Sequence, residues 1–188
     1  VDQLVEAMDG KLSIEDRFLL GQSLEHYRHL VNQVEEITAV IKQYVLERFE
    51  REYSLLIELP GVSAIVACVI LSEIGPNVEA FQSQGNLASW AGVCPGSYES
   101  AGIKKSSHTT QGNKYLKSSL FQAGGTAGRS KDEAFHNLYA RISGRSSKMK
   151  AIIACAHKMI RVIYKILSTG EHYDAKKALG LRQQARAN

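Results

Sequence analysis

Residues 13–57 read SIEDRFLLGQSLEHYRHLVNQVEEITAVIKQYVLERFEREYSLLI. The stretch holds no Pro and a single Gly, Gly21, so nothing in it is a strong helix breaker. Apolar residues recur at Leu20, Leu24, Tyr27, Val31, Val34, Ile37, Ile41 and Tyr44, in steps of four and three, which is the seam of a coiled coil. Glu25, Arg28, Glu35, Glu36, Lys42, Glu47, Arg48 and Glu50 flank it. Ser13 with Asp16 is close to a capping box and predicts the helix start. A helix of some 45 residues would reach about 65 Å at 1.5 Å per residue. A small domain cannot cover so long a stripe, so a second helix is expected, from another copy or from a missing part of the chain. A homodimer or higher homo-oligomer through residues 13–57 is the preferred expectation. The fold class expected is therefore mainly α. A long N-terminal coiled-coil helix (1–57, with a frayed or weakly helical start over 1–12) leads into a compact helical domain (58–174) and a basic, poorly ordered tail (175–188).

Outward from that helix, residues 58–75 read ELPGVSAIVACVILSEIG. Pro60-Gly61 predicts a tight turn, Ser63 the cap of a second helix, and Gly75-Pro76 its stop. Two readings fit. One is a helix-hairpin-helix-like corner, whose turn at Gly61 and Ser63 would offer backbone N–H groups to a phosphate. The other is a structural corner with Ala64, Ala67 and Ile70 in the core. The usual second glycine of such a hairpin is Ser63 here, and no Lys or Arg stands between Glu52 and Ile103. Phe81 to Ala91 reads as a short helix, with Trp90, beside Ala91 and Val93, read as a core anchor in preference to a base-stacking platform. Beyond residue 112, Asn113 caps a helix carrying Leu116, Leu120, Ala123 and Ala127, with Gly124-Gly125 either permitting close approach or breaking it. Phe135, Leu138, Tyr139 and Ile142 mark another. Ser146 or Ser147 opens the last long one, with Met149, Ile152, Ile153, Ala156, Ile160, Ile163 and Leu167 inward. Lys150, Lys158, Arg161 and Lys165 face outward, and Gly170 is the stop.

Between these helical runs lies WAGVCPGSYESAGIKKSSHTTQGNKYLKSSL, residues 90–120. Ser100 stands in a Ser-Ala-Gly step followed by Lys104 and Lys105, with Lys114 and Lys117 on the first turns of the next helix. A hydroxyl beside several cations suits phosphodiester chemistry: the hydroxyl attacks while the cations bind phosphate and offset charge building at phosphorus. The competing reading is a solvated loop, since Ser and Gly are ordinary turn residues.

Charge is spread unevenly. Residues 1–99 hold 6 Lys/Arg against 15 Asp/Glu, and residues 100–188 hold 17 against 4. Such asymmetry points to a polyanion, nucleic acid first, as the partner of the basic half. A functionless basic face is the alternative. The most apolar run, Val62 to Leu71, is far shorter than the about 20 residues a membrane helix needs, and the N-terminal residues have no secretory pattern. Cys68, Cys94 and Cys155 are isolated from one another, which fits a reducing cytoplasm. The six His residues form no ligand-spaced cluster, so no metal is assigned.

Four segments in order, LPGVSAIVACVILSEIG, FQSQGNLASWAGVCPGSYESAGIKK, QGNKYLKSSLFQAG and a basic helix ending YKILSTGEHYD, resemble the C-terminal transposase domain of the insertion-sequence one-hundred-ten family over about residues 55–174. The resemblance implies an RNA-guided DNA recombinase of a bacterial or archaeal mobile element, oligomeric and cytoplasmic, with DNA and an element-encoded guide RNA as partners. It implies an acidic RuvC-like domain, holding a divalent metal such as Mg, that this chain lacks. This piece alone is then not expected to recombine DNA. The family's Pro-x4-Ser-x-Gly motif matches Pro95, Ser100 and Gly102, which makes Ser100 the nucleophile, with Ser97, Ser106 and Ser107 as rivals. The chain has Ala101-Gly102 where the family usually has Gly-Gly, and Leu116-Lys117 where Leu-Arg is frequent. Two further readings stand beside this one: a non-catalytic DNA/RNA-binding and dimerisation module, and a helix-hairpin-helix accessory protein.

Overall fold

The computed structural model describes residue 10 and residues 13–94, 98–100, 103–106 and 109–184. Among these the chain is mainly helical: α1 (Ile14–Ile57), α2 (Ala64–Ile74), α3 (Gln84–Trp90), α4 (Lys114–Arg129), α5 (Glu133–Ser143), α6 (Lys148–Thr169) and α7 (Ala175–Gln184), with two short strands, β1 (Tyr98–Ser100) and β2 (Ile103–Ser106). The chain divides into two compact units, Val1–Ile41 and Lys42–Asn188.

In the first unit the described structure is the N-terminal part of α1. Its start is a reciprocal cap. Ser13 Oγ accepts the Asp16 N–H at 3.1 Å, and the Asp16 carboxylate accepts the Ser13 N–H at 3.3 Å. Two donors that a helix N-terminus leaves orphaned are satisfied in this way. The apolar stripe lies open. Leu20, Leu24, Tyr27, Val34, Ile37 and Ile41 are all exposed, and each such side chain is worth roughly 1.5–3 kcal/mol if fully buried.

In the second unit α1 does not run straight on. The long helix expected over 13–57 is present as Ile14–Ile57, with helical geometry interrupted at Phe49 (φ −138°, ψ 35°). No Gly or Pro lies within seven residues of the break. It coincides with the point where α1 enters the core, since Val45, Tyr53, Leu55 and Leu56 are buried. The turn after α1 leads into α2, capped by Ser63 and stopped by Gly75 at φ 79°. The helix expected over 81–91 is shorter, because Ser83 caps it at the Asn86 N–H. Trp90 is not a core anchor: it is 41 % exposed, while Leu87, Ala88, Ala91 and Val93 take the buried positions around it.

The last long helix, α6, is the hub and packs against α3, α4 and α5. Gly124 lets α4 approach it, since a Cβ there would stand 2.7 Å from the Ala156 amide nitrogen. Cys155, Ala156, Met159, Ile160 and Ile163 are buried with Leu116, Leu120 and Phe135. Met149 is instead exposed in the first turn. Lys158 is not on the outer face either: its ammonium donates to the Ala134 carbonyl at 2.8 Å and lies over the Phe135 ring. The expected tail is partly structured. Residues Ala175–Gln184 form α7, Ala178 is buried against the core, and the Tyr173 hydroxyl donates to Asp132 at 2.9 Å. The local sequence is polar and basic; long-range packing supplies what local pattern does not.

Candidate functional site

β1 and β2 form an antiparallel hairpin, with Ser100 opposite Ile103, Glu99 opposite Lys104 and Tyr98 opposite Ser106. The register shifts between Tyr98 and Glu99, so Lys105 is the extra residue of a bulge on β2. Ser100 is thus the last residue of β1, paired with the first residue of β2. The Ser/Gly/Lys loop expected over 95–111, with short extended pieces, carries two short strands at this point. Pro95, Ser97, Ala101, Gly102 and Ser107 lie outside the described residues.

The hairpin is held at its base. The Thr110 N–H donates to the Cys94 carbonyl at 3.3 Å, and the Asn113 N–H donates to the Trp90 carbonyl at 3.2 Å. Between these bonds the chain crosses itself at Gly92 and Gly112. A Cβ on Gly112 would meet the Gly92 nitrogen at 2.4 Å and the Trp90 carbonyl at 2.6 Å, so only glycine fits there. Gly92 also adopts φ 70°, a conformation that favours glycine. Backbone contact at this crossing fixes where the two ends of the loop leave the helical core.

Asn113 joins this base to α4. Its Oδ1 accepts the Tyr115 and Leu116 N–H groups at 3.0 and 2.9 Å, and its amide nitrogen donates to the Glu73 carboxylate of α2. Lys117, one turn on, donates from Nζ to the Thr110 carbonyl at 2.9 Å and lies over the Phe121 ring. That bond uses one of its three N–H donors and leaves the others for an anion. Lys114 lies over the Tyr115 ring at 4.8 Å, and Tyr115 is exposed. Of the sequence-derived candidates, therefore, Lys114 and Lys117 stand beside the base of the hairpin whose strands carry Ser100, Lys104 and Lys105.

Gly61 and Ser63 are placed elsewhere, at the corner between α1 and α2. Gly61 has φ 83°, and a Cβ there would stand 2.3 Å from the Ala123 carbonyl oxygen and 2.8 Å from the Ala127 nitrogen. Close packing on α4 is thus a sufficient reason for glycine at this position. Ser63 is exposed, and its hydroxyl accepts the Val66 N–H at 3.4 Å.

Electrostatics around the core are those of buried neutral groups. Burial pushes the thiols of Cys68 and Cys94 up, and that of Cys155 up to about 11, so none is a ready thiolate. Burial, with Arg161 nearby, pushes the His157 imidazole down. Burial and the Asp132 carboxylate push the Tyr173 phenol up. Among the described residues no three His, Cys, Asp or Glu side chains come together to hold a metal ion, and no helix is long and apolar enough to cross a membrane. Glu73 is the residue sequence reasoning missed. It lies 40 positions from Asn113, in an apolar helix, and no local pattern links it to the loop.

Comparison with known proteins bears on the same region. Residues 53–140 match the family model described as Transposase IS116/IS110/IS902 family, a span that includes the α1–α2 corner, the hairpin and its base. Over 156 residues, 79% of the chain and 39% of the relative, it is 27% identical to y4pF/y4sB, a candidate transposase of Sinorhizobium fredii (strain NBRC 101917 / NGR234). It is 28% identical over 158 residues to a pilin gene-inverting protein of Moraxella lacunata, covering 81% of the chain and 48% of the relative. It is 27% identical, with the same coverage, to that of Moraxella bovis. The chain spans less than half the length of each of these relatives.

Proposed function

The chain carries a transposase domain of the IS116/IS110/IS902 family at residues 53–140, and from that premise we propose that it is the part of a DNA recombinase that cuts and rejoins strands through Ser100. The observation that carries this reading is the clamped hairpin. Its β1 strand ends on Ser100 and its β2 strand carries Lys104 and Lys105. Its base is fixed to the helix bearing Lys114 and Lys117.

In the reaction, Ser100 Oγ gives up its proton and attacks phosphorus. A new phosphorus–oxygen bond forms, one bond to a deoxyribose oxygen breaks, and that oxygen leaves as a hydroxyl on taking a proton. The phosphodiester is replaced by a phosphoserine ester, so no bond energy is lost to water. Attack by a hydroxyl from another DNA end reverses the step and releases Ser100. Charge developing on the non-bridging oxygens is offset by the ammonium groups around the loop, an arrangement that stabilises the transition state more than the ground state. Inversion, the activity in the names of the Moraxella relatives, is such cutting and rejoining at two sites. Copies joined through the open stripe of α1, a guide RNA on the basic surface and a divalent cation such as Mg in an acidic domain outside this chain complete the proposed assembly.

The test is Ser100→Ala in the full-length protein. Recombination is expected to fall by at least about a thousandfold, while DNA affinity is kept. Recombination at the unsubstituted rate, or its loss only in Ser97→Ala, Ser106→Ala or Ser107→Ala, would overturn the assignment.

A further inference from the structure

Trp90 is the single tryptophan of the chain and stands 41 % exposed at the end of α3. Its ring is not loose. Phe81 packs against it with ring centroids 5.3 Å apart and planes tilted by 57°. The Phe81 carbonyl in turn accepts the Tyr164 hydroxyl of α6 at 3.0 Å, and Arg161 of α6 donates to Gln84, the first residue of α3, at 3.2 Å. On its other side the Trp90 carbonyl takes the Asn113 N–H, one residue before Lys114. The indole is thus carried on a segment bonded both to basic α6 and to the lysine-bearing start of α4.

Close in sequence Trp90 has no cation, since no Lys or Arg stands between Glu52 and Ile103. Cations come instead from the two helices it is bonded to, Lys114 and Lys117 at the start of α4 and Arg161 on α6. Glu73 approaches from α2, but its carboxylate is engaged by Asn113. A held, half-open aromatic face between two cation-bearing helices suits a partner that is both polyanionic and flat-ringed. A DNA strand with unpaired bases has both properties. An intact duplex offers the same phosphates but keeps its bases stacked inside, and an apolar protein surface would leave the cations unmatched.

We propose that Trp90, braced by Phe81, stacks on an unpaired DNA base next to the phosphates held by the lysines of α4. The proposal rests on the nucleic-acid reading above and adds to it a site for a strand opened at the point of exchange. Because Trp90 is the sole tryptophan, its emission reports on the site directly. The whole chain is titrated with a single-stranded DNA oligonucleotide and with an abasic strand of equal length, which has the phosphates and no bases. The unmodified strand is expected to quench Trp90 and the abasic strand to bind without quenching. Trp90→Ala is expected to weaken the unmodified strand about tenfold and the abasic strand hardly at all, with Trp90→Phe retaining most of the affinity. Binding of both strands with Trp90 emission unchanged, or equal weakening of both by Trp90→Ala, would overturn the stacking site and leave the nucleic-acid reading standing. Failure of both strands to bind would overturn the two together.

Discussion

Asn113 and Glu73, forty residues apart, are joined side chain to side chain, the asparagine amide donating to the carboxylate while its oxygen caps α4. The backbone N–H of Asn113 holds the base of the hairpin at the Trp90 carbonyl, and its side chain thereby ties α2 and the start of α4 to that base. Removing it in Asn113→Ala is expected to cost about 1–2 kcal/mol in urea denaturation, from the lost cap and the stranded carboxylate. Glu73→Gln keeps an acceptor for the amide and is expected to cost less than about 0.5 kcal/mol. Equal losses in the two variants would show that the shared bond is not what matters.

Gly61 and Gly85 make a contrasting pair. Gly61 combines a positive φ with backbone atoms of α4 inside 3 Å of any added Cβ, whereas Gly85 meets only the Ser83 hydroxyl at 3.6 Å. Gly61→Ala is expected to lower stability by about 2–4 kcal/mol. Gly85→Ala, inside a short helix, is expected to raise it by about 0.5–1 kcal/mol. Thermal unfolding of both variants is the check, and a neutral Gly61→Ala would mean that the corner can move off α4.

His157 makes the fold acid-sensitive. Burial holds its imidazole below the ordinary 6.5, and Arg161 adds repulsion. As pH falls through about 6.5 the unfolded chain takes up a proton that the folded chain resists, so this share of stability is complete above that pH and is lost below it. In denaturant titrations from pH 7.5 to pH 5, His157→Gln is expected to show a shallower decline than the unsubstituted chain. Parallel declines would remove His157 as the cause.

Phosphate binding by the loop cations has its own signature. If Lys114 holds a phosphate, Lys114→Gln should weaken DNA of every sequence alike and reduce the slope of log affinity against log salt by about 0.9. An unchanged slope would take Lys114 out of the contact set.

Much of this architecture was legible because its signals are local. Ser13, Ser63, Asn113 and Ser147 each announce a helix start, and Gly75 and Gly170 each announce an end. Each acts within one turn of its own position, which is where sequence pattern is strongest. The features that were not legible are long-range. Nothing near Phe49 marks the break in α1, and α7 is docked by Ala178 and Tyr173 against distant residues. Trp90 is left half-open because Ala91 and Val93 fill the core beside it. At the site, Ser100 and its lysines were visible as composition on one loop. The backbone clamp at the base of the hairpin was not, because Glu73 lies in an apolar helix and the Gly92–Gly112 crossing joins two segments twenty residues apart.

The most direct measurement is a covalent trap. Full-length protein, stopped with denaturant during strand exchange on labelled DNA, should retain the label on the polypeptide, and peptide mass spectrometry should place the added phosphate ester on Ser100, with no adduct from Ser100→Ala. An active recombinase that leaves no denaturant-resistant adduct, or one whose phosphate maps to another residue, would contradict Ser100 as the nucleophile.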